Sequence, residues 1–193
     1  MGASQAVAIR CFAVFLAPLA SLSVGGCSYI NAPRDLTLES TTHVTRPEWT
    51  PDQIMISFSS ATNLHTLAYR YDADIESSAF GCDKPSKNLL ISVGVYANGH
   101  MLTGNPHEAP IFLHKATGRY DYYIFIDTQR SDLHINGKVI PTIDLRAIPL
   151  IDICFVVRGT NEIYDYRSNI VRIPWQDISA ALKSPAVVTR QRY

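Results

Sequence analysis

After Pro51, apolar and polar residues alternate with a period of two through most of the chain, the period of β-strands. Ile54, Ile56 and Phe58 alternate with Met55, Ser57 and Ser59, and Leu67, Tyr69 and Tyr71 with Ala68, Arg70 and Asp72. Leu89, Ile91, Val93 and Val95 alternate with Leu90, Ser92, Gly94 and Tyr96. A shorter strand is predicted over residues 109–115 and another over 162–173. Tyr120 to Asp127 is apolar on both faces in its middle, which predicts a central strand. Residues 150–158 predict a second central strand, with Ile151, Ile153, Phe155 and Val157 on one face and Cys154 on the other. Cys154 then points away from the Phe155 face, where a loop holding Cys82 could fold over it. Asn136-Gly137 between two strand-like arms predicts a tight hairpin, because both residues tolerate positive φ. In that register Leu133 faces Ile140, and Ile135 faces Lys138.

The period changes near the C-terminus. Trp175, Ile178 and Leu182 stand at helical spacing, Pro174 suits a helix start, and Pro185 stops it. Val187 to Tyr193 reads as a tail or an edge strand. Strands at this spacing with a single short helix predict a mainly β domain, an antiparallel β-sandwich or barrel-like fold closed by one C-terminal helix.

Residues 28–51 are rich in Thr, Ser and Pro, the composition of a linker. Read that way, residues 27–51 are an anchor and tether and residues 52–193 are the domain. As a flexible coil, some 24 residues would hold the domain ~25–30 Å from its anchor. Leu36 and Leu38 alternate with polar neighbours, which leaves a first strand open there, and Trp49 could dock on the domain.

Residues 1–26 carry one basic residue, Arg10, no acid, and an apolar run from Cys11 to Val24. The run is shorter than the ~20 apolar residues that span a bilayer, and it ends in small residues, the pattern of an export signal. The sequence Val24-Gly25-Gly26-Cys27 resembles the lipobox of bacterial lipoproteins. The resemblance covers this N-terminus alone. It implies cleavage between Gly26 and Cys27, lipid on the Cys27 thiol, and attachment to a membrane of the bacterial envelope. By the same resemblance Ser28, standing where Asp commonly retains such proteins at the inner membrane, favours the outer membrane and a periplasmic face. The alternative is an ordinary cleaved signal beside a chance cysteine.

Export changes the reading of composition. Of 193 residues, removing 26 leaves 167, the size of one domain. Arg10 leaves with the signal, so 16 of the 17 basic residues face 17 acidic ones. This balance gives no sign of nucleic-acid binding. Cys82 and Cys154 remain as a pair in an oxidising compartment, which predicts a disulfide.

Candidate chemistry is sparse. Asp72, Asp74 and Glu76 would share a face of an extended chain at steps of ~7 Å, a geometry that could seat calcium. His100, His107 and His114 recur every seventh residue, with Met101 beside the first, a set whose chemistry suits copper. Both groups read more simply as solvated side chains than as metal sites. The chain has no Gly-x-Ser-x-Gly elbow, no His-Glu-x-x-His, no phosphate loop, no CxxC pair and no cofactor signature. Tyr69 with Tyr71, and Tyr164 with Tyr166, would share strand faces and could form a contact surface. The expectation is a non-enzymatic, lipid-anchored protein-binding module. It would be an accessory subunit of an envelope assembly or an inhibitor of a toxic enzyme, with the Gly99–Pro110 loop (Gly99, His100, Met101, Asn105, His107) as its plug. The rival expectations are an envelope hydrolase and a metal-binding lipoprotein.

Overall fold

The computed structural model describes residues 32–46, 52–83, 89–90, 94–102, 113–114, 116–129, 132–135, 138–141, 144–147, 151–160 and 165–189. Gly26, Cys27, Trp49, Asn105, His107 and Tyr164 lie outside them. In chain order the elements are β1 (Thr37–Thr45), β2 (Gln53–Ser60), α1 (Leu64–Tyr71), β3 (Asp74–Gly81), β4 (Leu89–Leu90), β5 (Tyr96–Ala97), β6 (His100–Met101), β7 (Leu113–His114), β8 (Arg119–Asp127), β9 (Asp132–Ile135), β10 (Lys138–Pro141), β11 (Ile153–Thr160), β12 (Asp165–Arg167), β13 (Val171–Ile173), α2 (Trp175–Lys183) and β14 (Val187–Val188). No helix among the described residues is long and apolar enough to cross a membrane.

The strands form two sheets and a separate β9–β10 hairpin. The larger sheet runs β14-β1-β2-β8-β5-β6, with β7 also on β8; the smaller runs β12-β11-β3-β4, with β13 also on β11. All pairs are antiparallel except β1 with β14. Period two places Ile54, Ile56 and Phe58 of β2 and Tyr122, Ile124 and Ile126 of β8 on one face of the larger sheet. Ile75 and Ala79 of β3 and Ile153, Phe155 and Val157 of β11 join the same core from the smaller sheet. The Phe58 and Phe155 rings meet across it at 5.2 Å. Leu64 and Ala68 of α1 and Ile178 and Ala181 of α2 complete it. The mainly β, two-sheet fold with a short C-terminal helix is therefore as expected, and β8 and β11 hold the central positions predicted for them. The Asn-Gly hairpin has the predicted register, Leu133 opposite Ile140 and Ile135 opposite Lys138.

Four local expectations are corrected. The stretch read as a strand through Leu67, Tyr69 and Tyr71 is the helix α1. Asn63 caps it, accepting the Thr66 N–H at 2.9 Å, and Leu64 and Ala68 bury one helical face. The Tyr122 hydroxyl adds a second cap by accepting the Leu64 N–H at 2.9 Å. Part of the stretch read as tether, residues 27–51, is β1, so the sandwich begins before residue 52. Where one strand was expected through Leu89 to Tyr96, the described residues give β4, paired with β3 of the smaller sheet, and β5, paired with β8 of the larger. The strand expected over 162–173 is interrupted, and β12 and β13 pair in turn with opposite ends of β11.

Cys82 and Cys154 form the disulfide, with sulfurs 2.08 Å apart. The bond is made along the sheet, not by the expected loop folding over its face. Cys82 follows β3, which lies beside β11, and its N–H donates to the Asp152 carbonyl at 2.9 Å. The bond links neighbouring strands on the outer face of the smaller sheet.

Candidate functional site

The chemistry-bearing side chains that come together are on the outer face of the larger sheet, and they begin with a bulge. Leu38 faces Phe58 and Ser40 faces Ser57, so Glu39 is an extra residue on β1. A bulge re-aims the side chain it carries. Glu39 is exposed, and its Oε1 accepts the Ser59 hydroxyl at 2.5 Å. Arg119, at the start of β8, donates its Nε–H to the same Ser59 oxygen at 2.7 Å. Its Nη2 also reaches the Asp35 and Ser59 carbonyls and the Thr37 hydroxyl at 2.5, 2.9 and 3.1 Å. Its Nη1 lies 3.5 Å from the Asp35 carboxylate.

Beside this network lies a cleft of about 390 Å³, lined by Glu39, Ser57, Ser59, His114, Arg119 and Asp121 among others. His114 and Asp121 pair at 2.6 Å, each side chain 60% exposed, so water screens the pair and its worth is at most ~1 kcal/mol. The Tyr123 ring stacks on Tyr96 at 5.6 Å, and its hydroxyl accepts the Gly99 N–H at 2.9 Å. Burial raises the Tyr123 hydroxyl above its ordinary pKa. The cleft can accept hydrogen bonds through two carboxylates. Ser59 is not poised as a nucleophile: it is buried, and its hydroxyl is held between Glu39 and Arg119. His114 pairs with Asp121 rather than with either serine.

On the same face, Val44, Tyr96 and Phe125 form a second apolar cluster with Met55 and Tyr123 against it. The Arg46 guanidinium lies 4.6 Å from the Phe125 ring centre, a cation–π contact.

Among the described residues singled out from sequence, His114 lines this cleft and Asp72, Asp74, Glu76, His100 and Met101 do not. Asp72 takes the left-handed conformation, φ 46°, as the C-cap of α1. The extended geometry expected for Asp72, Asp74 and Glu76 therefore breaks at its first member. Asp74 and Glu76 do share the exposed face of β3. His100 and Met101 form β6, the last strand of the larger sheet. No three His, Cys, Asp or Glu side chains among the described residues are grouped so as to hold a metal ion. Of the tyrosines expected to share faces, Tyr69 is exposed on α1 and Tyr166 is buried.

The loop expected to act as a plug opens as a tight hairpin. Asn98 and Gly99 have φ of 49° and 87°, the positive values of a two-residue turn joining β5 to β6. Gly99 is tied to Tyr123, and the Leu102 N–H donates to the Val95 carbonyl at 2.7 Å, which sets the hairpin on the sheet. Met101 is 45% exposed beyond it.

The cleft was not foreseen from sequence. Glu39 fell in the supposed tether, Ser57 and Asp121 read as ordinary polar positions of strands, and Arg119 lay just before the strand predicted from Tyr120 to Asp127. The one available signal was the Leu36–Leu38 alternation, followed by a polar pair that breaks its phase. No family model, curated protein or solved structure matches this chain.

Proposed function

We propose that this chain is a lipid-anchored lipoprotein of the bacterial envelope whose β-sandwich binds another protein. The observation that supports the reading best is the β5–β6 hairpin. A tight turn, pinned by the Tyr123 hydroxyl, presents exposed Met101 on the edge strand of the larger sheet. A rigid hairpin loses little freedom on binding, and an exposed methionine supplies adaptable apolar contact. The disulfide between β3 and β11 fits an oxidising compartment. The partner is an envelope assembly that this chain serves as accessory subunit, or a toxic enzyme that it inhibits.

The test is capture of the full-length protein from its own cells in mild detergent, followed by mass spectrometry of what co-purifies. A stoichiometric partner, lost on Met101→Asp, is the expected result. A lipidated protein that captures nothing would shift the reading to the hydrolase alternative. That alternative would rest on Glu39 and Asp121, the two carboxylates of the outer-face cleft.

A further inference from the structure

The domain begins much closer to Cys27 than a 27–51 tether would allow. Pro33 is buried, and its carbonyl accepts the Asn169 N–H at 3.2 Å. The Asn169 side chain then holds both backbone groups of Leu36: Oδ1 accepts its N–H at 2.9 Å and Nδ2 donates to its carbonyl at 3.0 Å. From the other side Arg119 donates to the Asp35 carbonyl, and the Asp35 carboxylate accepts the Ser60 hydroxyl and the Ala61 N–H at 2.8 and 2.5 Å. Residues 33–36 are thus clamped to both sheets. From Cys27 to Pro33 is six residue steps. Their contour is at most roughly 20 Å, and about 13 Å as a flexible coil.

The surface at this clamp has a distinct chemistry. Ile170, the residue after Asn169, is 61% exposed. Arg34, the residue after Pro33, is exposed, and so is Arg167, two residues before Asn169. Neither arginine has an ion-pair partner among the described residues. The segments at the clamp thus carry an exposed apolar side chain and two unpaired cations, while the nearby Asp165 is held by Arg158 at 3.4 Å, a composition that suits contact with an anionic membrane surface.

We propose that the surface around the 33–36 clamp, where the exposed Arg34, Arg167 and Ile170 flank Pro33 and Asn169 in the chain, rests on anionic phospholipid. Ile170 enters the interface, and the arginines meet the headgroup phosphates. The inference depends on the lipid at Cys27, because the short lead from Cys27 is what brings this face to the bilayer. It also orients the sandwich. β1, β2 and β8 run from Thr37, Ser60 and Arg119 at the clamp to Thr45, Gln53 and Asp127 at the far end. Eight residues of β2 span ~27 Å. Arg146, which bonds Asp52 at 3.2 Å, marks that far end.

The test uses full-length protein in vesicles of phosphatidylethanolamine and phosphatidylglycerol that carry a brominated quencher lipid. A fluorophore is attached at Ile170→Cys or at Arg146→Cys. At position 170 we expect several-fold stronger quenching than at 146, reduced by Arg34→Gln with Arg167→Gln. In unlabelled protein we expect slower amide exchange over 165–170 on vesicles than in detergent. Equal or absent quenching in protein whose intact mass includes acyl chains overturns the membrane-resting face and leaves the lipoprotein reading standing. An intact mass without acyl chains on Cys27 overturns both, by a separate readout.

Discussion

At Gly159 a single hydrogen stands where any larger residue would meet an aromatic ring. A Cβ built there would lie 2.1 Å from two ring carbons of Tyr166, its cross-strand partner. The ring lies over the glycine and closes one end of the sheet pairing, so the missing side chain is filled by its neighbour. Gly159→Ala is expected to destabilise the fold by ~1–3 kcal/mol through forced displacement of the ring. Urea denaturation would measure it, and the cost should largely vanish in a Tyr166→Ala background. Tyr166 also bears on pH. Its hydroxyl has no hydrogen-bond partner among the described residues, and burial pushes its pKa above the ordinary 10.0. Tyr122 is raised too, chiefly by burial, although its hydroxyl bonds Leu64 and Thr62. A raised folded pKa means that the fold keeps these protons more tightly than the unfolded chain. Stability is therefore full below about pH 10 and falls as pH rises beyond it, by ~1.4 kcal/mol per pH unit for each tyrosine. Urea midpoints and tyrosinate absorbance across the alkaline range should move together. A flat stability profile there would refute the assignment.

Among elements, one side chain ties β1, β2 and β8 together at the clamp end of their ladders. Arg119 satisfies two backbone carbonyls and two hydroxyls from two segments, residues 35–37 and Ser59 of β2. It is about one-quarter exposed, so part of its charge interaction is screened, but the carbonyls it serves are not easily rehydrated. Arg119→Met is expected to cost roughly 1–3 kcal/mol. It should also expose residues 33–37 to limited proteolysis while far-UV circular dichroism keeps its β signature. Asp152 plays a related part between β13 and α2. It accepts the Trp175 N–H at 2.8 Å and pairs with Arg172, and both contacts hold its carboxyl below the ordinary range. The helix α1 shows why a period alone misleads. Leu67, Tyr69 and Tyr71 alternate as a strand would, yet Asn63 as cap and the Leu64–Ala68 spacing specify a helix.

For the molecule as a whole, the disulfide and the core are separate sources of stability. Cys82 and Cys154 are 72 residues apart, so their bond closes a long loop of the unfolded chain. In the chain-entropy model it stabilises by roughly 4 kcal/mol. The double variant Cys82→Ser with Cys154→Ser is expected to fold, because the Phe58–Phe155 core does not depend on it, but with a urea midpoint lowered accordingly. An unchanged midpoint would show that β3–β11 pairing already constrains the ends. The clamp on residues 33–36 matters at this scale as well. It leaves six residue steps between Cys27 and Pro33, and on the proposed lipidation of Cys27 one end of the sandwich would lie toward the anchor.

What the sequence determined by itself was local or periodic. The alternation of period two placed β2, β8 and β11; Asn136-Gly137 set a hairpin and its register; Pro174 and Pro185 bounded α2; and Cys82 and Cys154, read as a pair in an exported chain, led to the expectation of their bond. Each depends on residues near one another in the chain or on a simple count. The polar cleft, the clamp and the position of the disulfide on neighbouring strands depend on which strands pair. Glu39, Ser59, Arg119 and Asp121 are up to 82 positions apart in sequence and meet only because β1, β2 and β8 are adjacent. Asn169 finds Leu36 across 133 positions. Tertiary structure decided these features, because strand order is set by how two whole faces bury together, and no single stretch of chain carries that information.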